Sequence, residues 1–379
     1  MTTWSEDQKR LRESLQPLLG KISEGHVERD GLAVFPREQW DLLRATGILG
    51  LPFEERFGGL GQDLPTTVYV LEGLGQGCRD AGLNFSVTSH LVSTGIPLQR
   101  FGSQELKARY LPPLCTGELI GAHAISEPDS GSDALAMRTR AVRDGDCFVL
   151  NGSKAFVSNG PVAGLITVYA RTSRRPGPLS ITAFLLDRDT PGLTVGRPIP
   201  KMGLRTSPLS ELSLDDCRVP ASRVLGRTGG GFLVLDHVMR WEILCSFAVN
   251  AGEMRDRLER CVEYARTRTQ FGRPIGANQA VSHKLVDMEI GVESARHWLF
   301  SAARKLAAGE NAAKDVAIAK LVTSEANLAS ALAAVQIFGG NGYMAEYGIE
   351  KELRDSVGGT IYSGTSEIQR NRIASMLGL

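Results

Sequence analysis

The sequence predicts a multidomain α+β chain in which a helical segment, a strand-rich segment and a second helical segment follow one another. Three observations carry this. Apolar residues recur at helical spacing through the first ~120 positions. Short β-branched and aromatic runs bounded by Gly, Pro, Asp or Asn fill the stretch from Leu119 to Leu225. Long helical-period segments return after Gly229-Gly230-Gly231. The 379 residues suffice for about two to three domains, with expected spans of 1–118, 119–228 and 229–379. Strands and helices do not alternate, which argues against a parallel nucleotide-binding sheet.

In chain order, Ser5 with Gln8 reads as a capping box opening the helix SEDQKRLRESLQPLLGKI. PREQWDLLRATGILGL and SQELKARYLPPL continue the helical theme, with Pro and Gly as punctuation. Gly73 to Gly77 (G-L-G-Q-G) superficially resembles a dinucleotide fingerprint, but it follows a helical stretch and its glycine spacing is wrong. CFVLNGSKAFVSN, LITVYARTS, SITAFLLDRDT, GLTVG and SELSLDD then read as strands of a compact antiparallel sheet or barrel. Segments 232–267, 277–307, 312–339 and 366–377 read as helices.

Composition narrows the function. With 43 basic and 42 acidic residues the net charge is +1, which argues against nucleic-acid binding. No window approaches the ~20 apolar residues of a membrane span, and the polar N-terminus lacks a signal-peptide core; the expectation is a cytoplasmic protein. The cysteines at 78, 115, 147, 217, 245 and 261 form no C-x-x-C pair. The histidines at 26, 90, 123, 237, 283 and 297 never pair at metal-ligand spacing, so no metal is expected and all six read as surface or packed residues. There is no G-x-S-x-G elbow and no H-E-x-x-H. Glycine is in excess: 42 residues, about 11% against the usual ~7%.

One carboxylate stands out. In VMRWEILCSFAVNAG (238–252) only Arg240 and Glu242 carry charge. On a helix, Glu242 shares a side with Val238, Cys245 and Val249, and a helix this apolar all round is a buried one. A carboxylate out of water is a stronger base toward a carbon acid. The alternative is a structural ion pair with an arginine of another helix.

Several stretches together resemble the acyl-CoA dehydrogenase family: AISEPDSGSD (124–133), LNGSKAFVSNG (150–160), KMGLRTSPLSELSLDDCRVP (201–220), RTRTQFGRPIGANQ (266–279), QIFGGNGY (336–343) and IYSGTSEIQR (361–370). They run in family order. The resemblance implies an N-terminal α-helical domain, a middle β-barrel and a C-terminal four-helix bundle, with FAD bound between subunits of a dimer or tetramer. It places Ser126 at the pyrimidine end of the flavin, Ser132 at the diphosphate, Phe156 against the isoalloxazine and Ser158 toward N5. From the neighbouring subunit it places Arg268 and Phe271 at the diphosphate and adenine, with Gln279, Gln336 and Gly340 as further contacts. Thr365 and Glu367 open the last helix, where free N–H groups favour an anion; Ser366 with Gln369 reads equally as a capping box.

Many members of the family carry the catalytic glutamate where this chain has Ser363. The isovaleryl and long-chain types place it on the first helix of the C-terminal domain, and counting back from Phe271-Gly272 that position is Glu242. The implied reaction is α,β-dehydrogenation of an acyl thioester. Glu242 removes the α-proton, the β-hydrogen leaves as hydride to the flavin, and the backbone N–H of Ser363 with a ribityl hydroxyl polarises the carbonyl. The motif surroundings look most like the members that oxidise acyl or prolyl groups on carrier proteins, leaving acyl-CoA and acyl-carrier protein both open as substrate. The electron acceptor expected is an electron-transfer flavoprotein or oxygen. Other flavin chemistry on the same fold (desulfination, nitroalkane oxidation, oxygenation) and a non-catalytic flavin-binding scaffold are the alternatives.

Overall fold

The computed structural model describes residues 3–175 and 177–379. Ser5 and Gln8 exchange side-chain to backbone hydrogen bonds, and this capping box starts α1 (Glu6–Glu13). The N-terminal segment continues with α2 (Gln16–Ser23), α3 (His26–Leu32), α4 (Arg37–Arg44), α5 (Leu64–Gly77), α6 (Ala81–His90), α7 (Ile96–Phe101) and α8 (Gln104–Cys115). A π turn, Leu91–Gly95, joins α6 to α7.

The strand segment comprises β1 (Gly121–Ala124), β2 (Arg140–Asp144), β3 (Cys147–Ser158), β4 (Leu165–Arg171), β5 (Ile181–Asp187), β6 (Leu193–Val195), β7 (Leu209–Pro220) and β8 (Val224–Leu225). Their order is β6-β7-β3-β2-β4-β5-β8, with β1 lying parallel along β4. The expected barrel is therefore corrected to an open, mixed sheet. β6 and β8, at its two ends, span three and two residues, too few to bring the edges into register. β2 joins β4 only at Arg140↔Arg171. Alternation along β4 explains how both faces are buried. Ile166, Val168 and Ala170 enter the sheet's own core, whereas Leu165 and Tyr169 join the helical core on the opposite face.

The third segment is built on α9 (Gly231–Thr267), α10 (Gln279–Ala307) and α11 (Ala313–Phe338), followed by α12 (Gly340–Tyr343), α13 (Ile349–Gly358) and α14 (Ser366–Met376). Three long helices with shorter ones beside them replace the simple four-helix bundle expected. Helix α13 has no counterpart in the sequence reading. The expectation about membrane spans also needs amendment: α11, with a mean hydropathy of 1.3 in its most apolar window, is long and apolar enough to cross a bilayer. It packs here against α9, α10, α13 and α14.

The G-L-G-Q-G segment lies inside α5 and serves packing. A Cβ on Gly75 would stand 2.0 Å from the carbonyl oxygen of Val249, and one on Gly252 would stand 2.0 Å from that of Glu72. Helices α5 and α9 thus cross in backbone contact. A cluster of buried charges holds the same region. Glu352 on α13 takes Arg257 at 2.9 Å and Arg260 at 2.5 Å, both from α9, with Arg79 at 3.5 Å. Burial pushes the Glu352 carboxyl up, but Arg260, Arg257 and Arg79 outweigh it and hold the group down to about 2.

Gly252→Ala should force α5 and α9 apart and destabilise the protein by about 1–3 kcal/mol; a thermal midpoint equal to that of the parent would show that the crossing tolerates a methyl group.

Candidate active site

Every residue from Ile243 to Gly252 on α9 is buried, as its apolar composition predicts. Glu242 sits where this buried stretch begins, its side chain 14% exposed. The hydroxyl of Ser363 donates to Glu242 Oε1 at 2.6 Å. His123 Nε2 stands 3.4 Å from Glu242 Oε2, and that oxygen has no hydrogen-bond partner among the described residues. No arginine or lysine pairs with Glu242 among those residues. Arg240, two positions earlier, turns instead to Asp236 at 2.5 Å.

The sheet supplies the facing wall. β1 and β4 pair in parallel with His123 opposite Thr167, and period-2 alternation puts His123, Thr167 and Tyr169 on the face that looks toward the helices. Thr167 Oγ1, Tyr169 OH and His123 Nδ1 are buried without hydrogen-bond partners among the described residues. Burial, and then the nearby Glu242 charge, push the Tyr169 phenol and the Cys245 thiol up. Burial lowers His123, against the opposing pull of Glu242, so the imidazole is neutral. His123 is a packed histidine, and it comes beside Glu242 because Gly121–Ala124 forms a strand that the sequence reading did not identify. His90 is a packed residue as expected, accepting from Gly121 N on Nδ1 at 3.1 Å.

Ser363 is held in a left-handed backbone conformation (φ 56°), followed by Gly364 (φ 84°). Gln369 Nε2 fixes this turn by donating to the carbonyls of Ser363 at 3.1 Å and Gly364 at 3.3 Å. Thr365, rather than Ser366, caps α14, accepting from Ile368 N at 3.3 Å. The capping box suggested for Ser366 and Gln369 does not form, because Gln369 is turned back into the loop. Glu367 lies exposed on the first turn of α14, where a backbone N–H and the Thr365 hydroxyl lower its carboxyl.

Across the sheet, Ser126 O accepts from Ala155 N at 2.9 Å, tying the loop after β1 to the end of β3. β3 carries a bulge between Lys154 and Val157, and there Phe156 adopts φ 56° and stands 67% exposed. Ser158 lies two residues further along β3, and Ser132 is exposed at the tip of the 126–138 loop. A buried ion pair pins that loop: Lys154 Nζ reaches Glu127 Oε1 at 2.8 Å and Ile125 O at 3.0 Å. Glu127 also accepts from the backbone N–H groups of Arg138 and Thr139. Burial lowers Lys154 to about 8 despite the Glu127 carboxylate. Neither Glu127 nor Lys154 was singled out in the sequence, although the E-P and G-S-K contexts place both inside recognised motifs.

The remaining residues form a second, separate group. Arg268 follows the C-terminus of α9. Phe271 (φ 50°, fully exposed) and Gly272 (φ 79°) form the two-residue turn of a hairpin pairing Gln270 with Arg273, the double positive φ that such turns require. Gln279 begins α10, and Gln336 and Gly340 flank the end of α11, all exposed. Stacking of Tyr264 on Phe338, with centroids 4.1 Å apart, keeps the α9 and α11 ends together. At 1.5 Å per residue, Glu242 and Arg268 lie roughly 39 Å apart along α9. Seven described non-glycine residues have positive φ, among them Phe156, Phe271 and Ser363; such strain persists only where the surroundings enforce it, and it clusters at functional sites.

Models of the acyl-CoA dehydrogenase N-terminal, middle and C-terminal domains match residues 5–118, 122–217 and 229–378. The chain is 42% identical over 346 residues to an L-prolyl-[peptidyl-carrier protein] dehydrogenase of Pseudomonas fluorescens, covering 91% of each chain. It superposes on the prolyl acyl carrier protein oxidase AnaB with a TM-score of 0.97 at 39% identity, covering 100% of both chains. For PigA with FAD and proline the TM-score is also 0.97, at 38% identity, covering 100% of this chain and 99% of the other.

Lys154→Met should leave Glu127 as an uncompensated buried charge and destabilise the fold by about 3–5 kcal/mol. Cleavage within 126–138 in limited proteolysis should accelerate; an unchanged melting curve and cleavage pattern would dissociate the ion pair from loop order.

Proposed function

The chain belongs to the acyl-CoA dehydrogenase family, and from that premise we propose that it is an FAD-dependent dehydrogenase of acyl thioesters that acts on a prolyl group carried by a peptidyl-carrier protein. One observation carries the chemistry. A carboxylate with no cationic partner among the described residues stands in a largely dry wall, one oxygen held by a hydroxyl and the other without a hydrogen-bond partner. That is an environment for taking a proton, not for a structural ion pair. The prolyl and carrier-protein assignment is supported by the relatives that match over nearly the whole chain.

The residues present fit FAD. Phe156 offers a large exposed ring from a bulge that enforces its orientation, with Ser126 and Ser158 on the adjoining strand and loop. Thr365 and Glu367 sit at the N-terminal end of α14. Bound FAD supplies an acceptor for the β-hydride and a hydroxyl for the thioester carbonyl. Glu242 takes the α-proton on Oε2, the oxygen that Ser363 does not occupy. The backbone N–H of Ser363 faces charge developing on the carbonyl oxygen. Tyr169, Cys245 and Val238 help keep water from the carboxylate, which strengthens every interaction inside.

Arg268, Phe271, Gln279, Gln336 and Gly340 group beyond the far end of α9, roughly 39 Å along the helix from Glu242 to Arg268, and in this reading they serve the cofactor of a neighbouring copy. The working unit is then a dimer or tetramer, and an electron-transfer flavoprotein or oxygen reoxidises it.

Glu242→Gln should keep its FAD yet lose anaerobic bleaching of the flavin band by prolyl-carrier protein, by on the order of 1,000-fold or more; fast bleaching would overturn the assignment of the base. Adding Ser363→Glu to that variant should restore part of the rate. In stopped flow the carrier-bound substrate should react faster than the CoA thioester, and the reverse order would reassign the donor. Arg268→Glu should lower FAD retention without changing the circular dichroism of the protein, whereas full retention would refute sharing between copies.

A further inference from the structure

Resting on the dehydrogenase reading above, we propose that His123 is a positioning residue for Glu242: its imidazole, protonated on Nε2, holds carboxylate Oε2 while the Ser363 hydroxyl holds Oε1. The two oxygens are thus addressed from different segments, one from the sheet and one from the loop before α14. A carboxylate held at one oxygen can swing about its last torsion; held at both, its plane is set. Each oxygen has two acceptor positions, so Oε2 can take the His123 proton donor and still receive the substrate proton.

Geometry decides the tautomer. His123 Nδ1 is buried without a hydrogen-bond partner among the described residues, and an orphaned buried N–H is rarer than an under-used acceptor. The proton therefore belongs on Nε2, which faces Glu242 Oε2 at 3.4 Å. That separation exceeds the 2.7–3.2 Å of a good N–H···O bond, as expected for a resting site whose hydrogen bonds tighten when substrate binds. His123 is fixed in place by the backbone pairing of β1 with β4, opposite Thr167.

The neighbouring titratable groups are silent. Tyr169 from β4, Cys245 from α9 and Tyr362 from the segment before α14 are all pushed up by burial and by carboxylate charge. His123 itself is lowered, first by burial.

The test has two arms. In the first, anaerobic flavin reduction is compared for the parent, His123→Phe and His123→Gln. The Phe variant should bind FAD and substrate normally, with kcat lower by on the order of 100-fold. The Gln variant, which retains an N–H donor, should recover a substantial part of the rate. A Phe variant with parental kcat, or Phe and Gln variants that lose equally, would overturn the proposal. In the second arm, 15N-histidine NMR of the resting protein should show His123 as the neutral Nε2–H tautomer, with resonances that move in Glu242→Gln while the other five histidines stay put. An Nδ1–H tautomer, or a charged ring at neutral pH, would overturn it. The NMR arm needs no turnover: a parent that fails to reduce its flavin refutes the dehydrogenase reading, and the tautomer still decides the role of His123.

Discussion

The backbone contacts of Gly75 on α5 with Val249, and of Gly252 on α9 with Glu72, fix the helix that carries Glu242. With each absent Cβ replaced by a carbonyl oxygen 2.0 Å away, the two helices have no freedom to slide, because any shift of one residue would put a side chain where only hydrogen fits. Helix α9 is thereby locked in register against the N-terminal segment, its buried run from Ile243 onward packing on α5 and α6. Glu242, one residue before that run, meets β1 and β4 as a result. The glycine excess in the composition has a mixed meaning. Gly131, Gly272, Gly339 and Gly340 stand in open space, whereas Gly75 and Gly252 are among the places where close approach is compulsory.

Two buried carboxylates on neighbouring elements show how surroundings assign work. Glu352 is gripped by Arg257, Arg260 and Arg79 and is held charged down to about 2; it can neither take nor release a proton under ordinary conditions, and its task is to join α13 to α9. Glu242 is met by a hydroxyl and a neutral imidazole, with no full positive charge paired to it among the described residues. Glu352 stands in a cluster of charges, whereas Glu242 adjoins the apolar run of α9. The difference is the partner set, and only the second set leaves a carboxylate free to act as a base.

Much of the fold was legible because its signals are local. The capping box at Ser5, the long helices after Gly231 and the main strands of the sheet follow from spacing and turn residues over short windows. β1 and β2 were not, being four and five residues long, and the parallel pairing of β1 with β4 is a long-range event with no local signature. That omission had a cost: His123 looks like any packed histidine until its strand is placed beside Thr167. The buried position of Glu242 was legible from the apolar helix around it, but its contact with Ser363, 121 residues later, was not. The strand pattern left sheet and barrel both open and the resemblance chose the barrel, whereas the short edge strands leave the sheet open.

The 2.6 Å contact between Ser363 and Glu242 also bears on how such chains diversify. Two segments far apart in sequence present their side chains to one point, so the acidic group can reside on either without the fold changing. A carboxyl group at both positions would share one proton. Because the shared point is fixed by the backbone, the identity of the proton acceptor is a heritable choice between two addresses, while the place where the proton is taken stays the same.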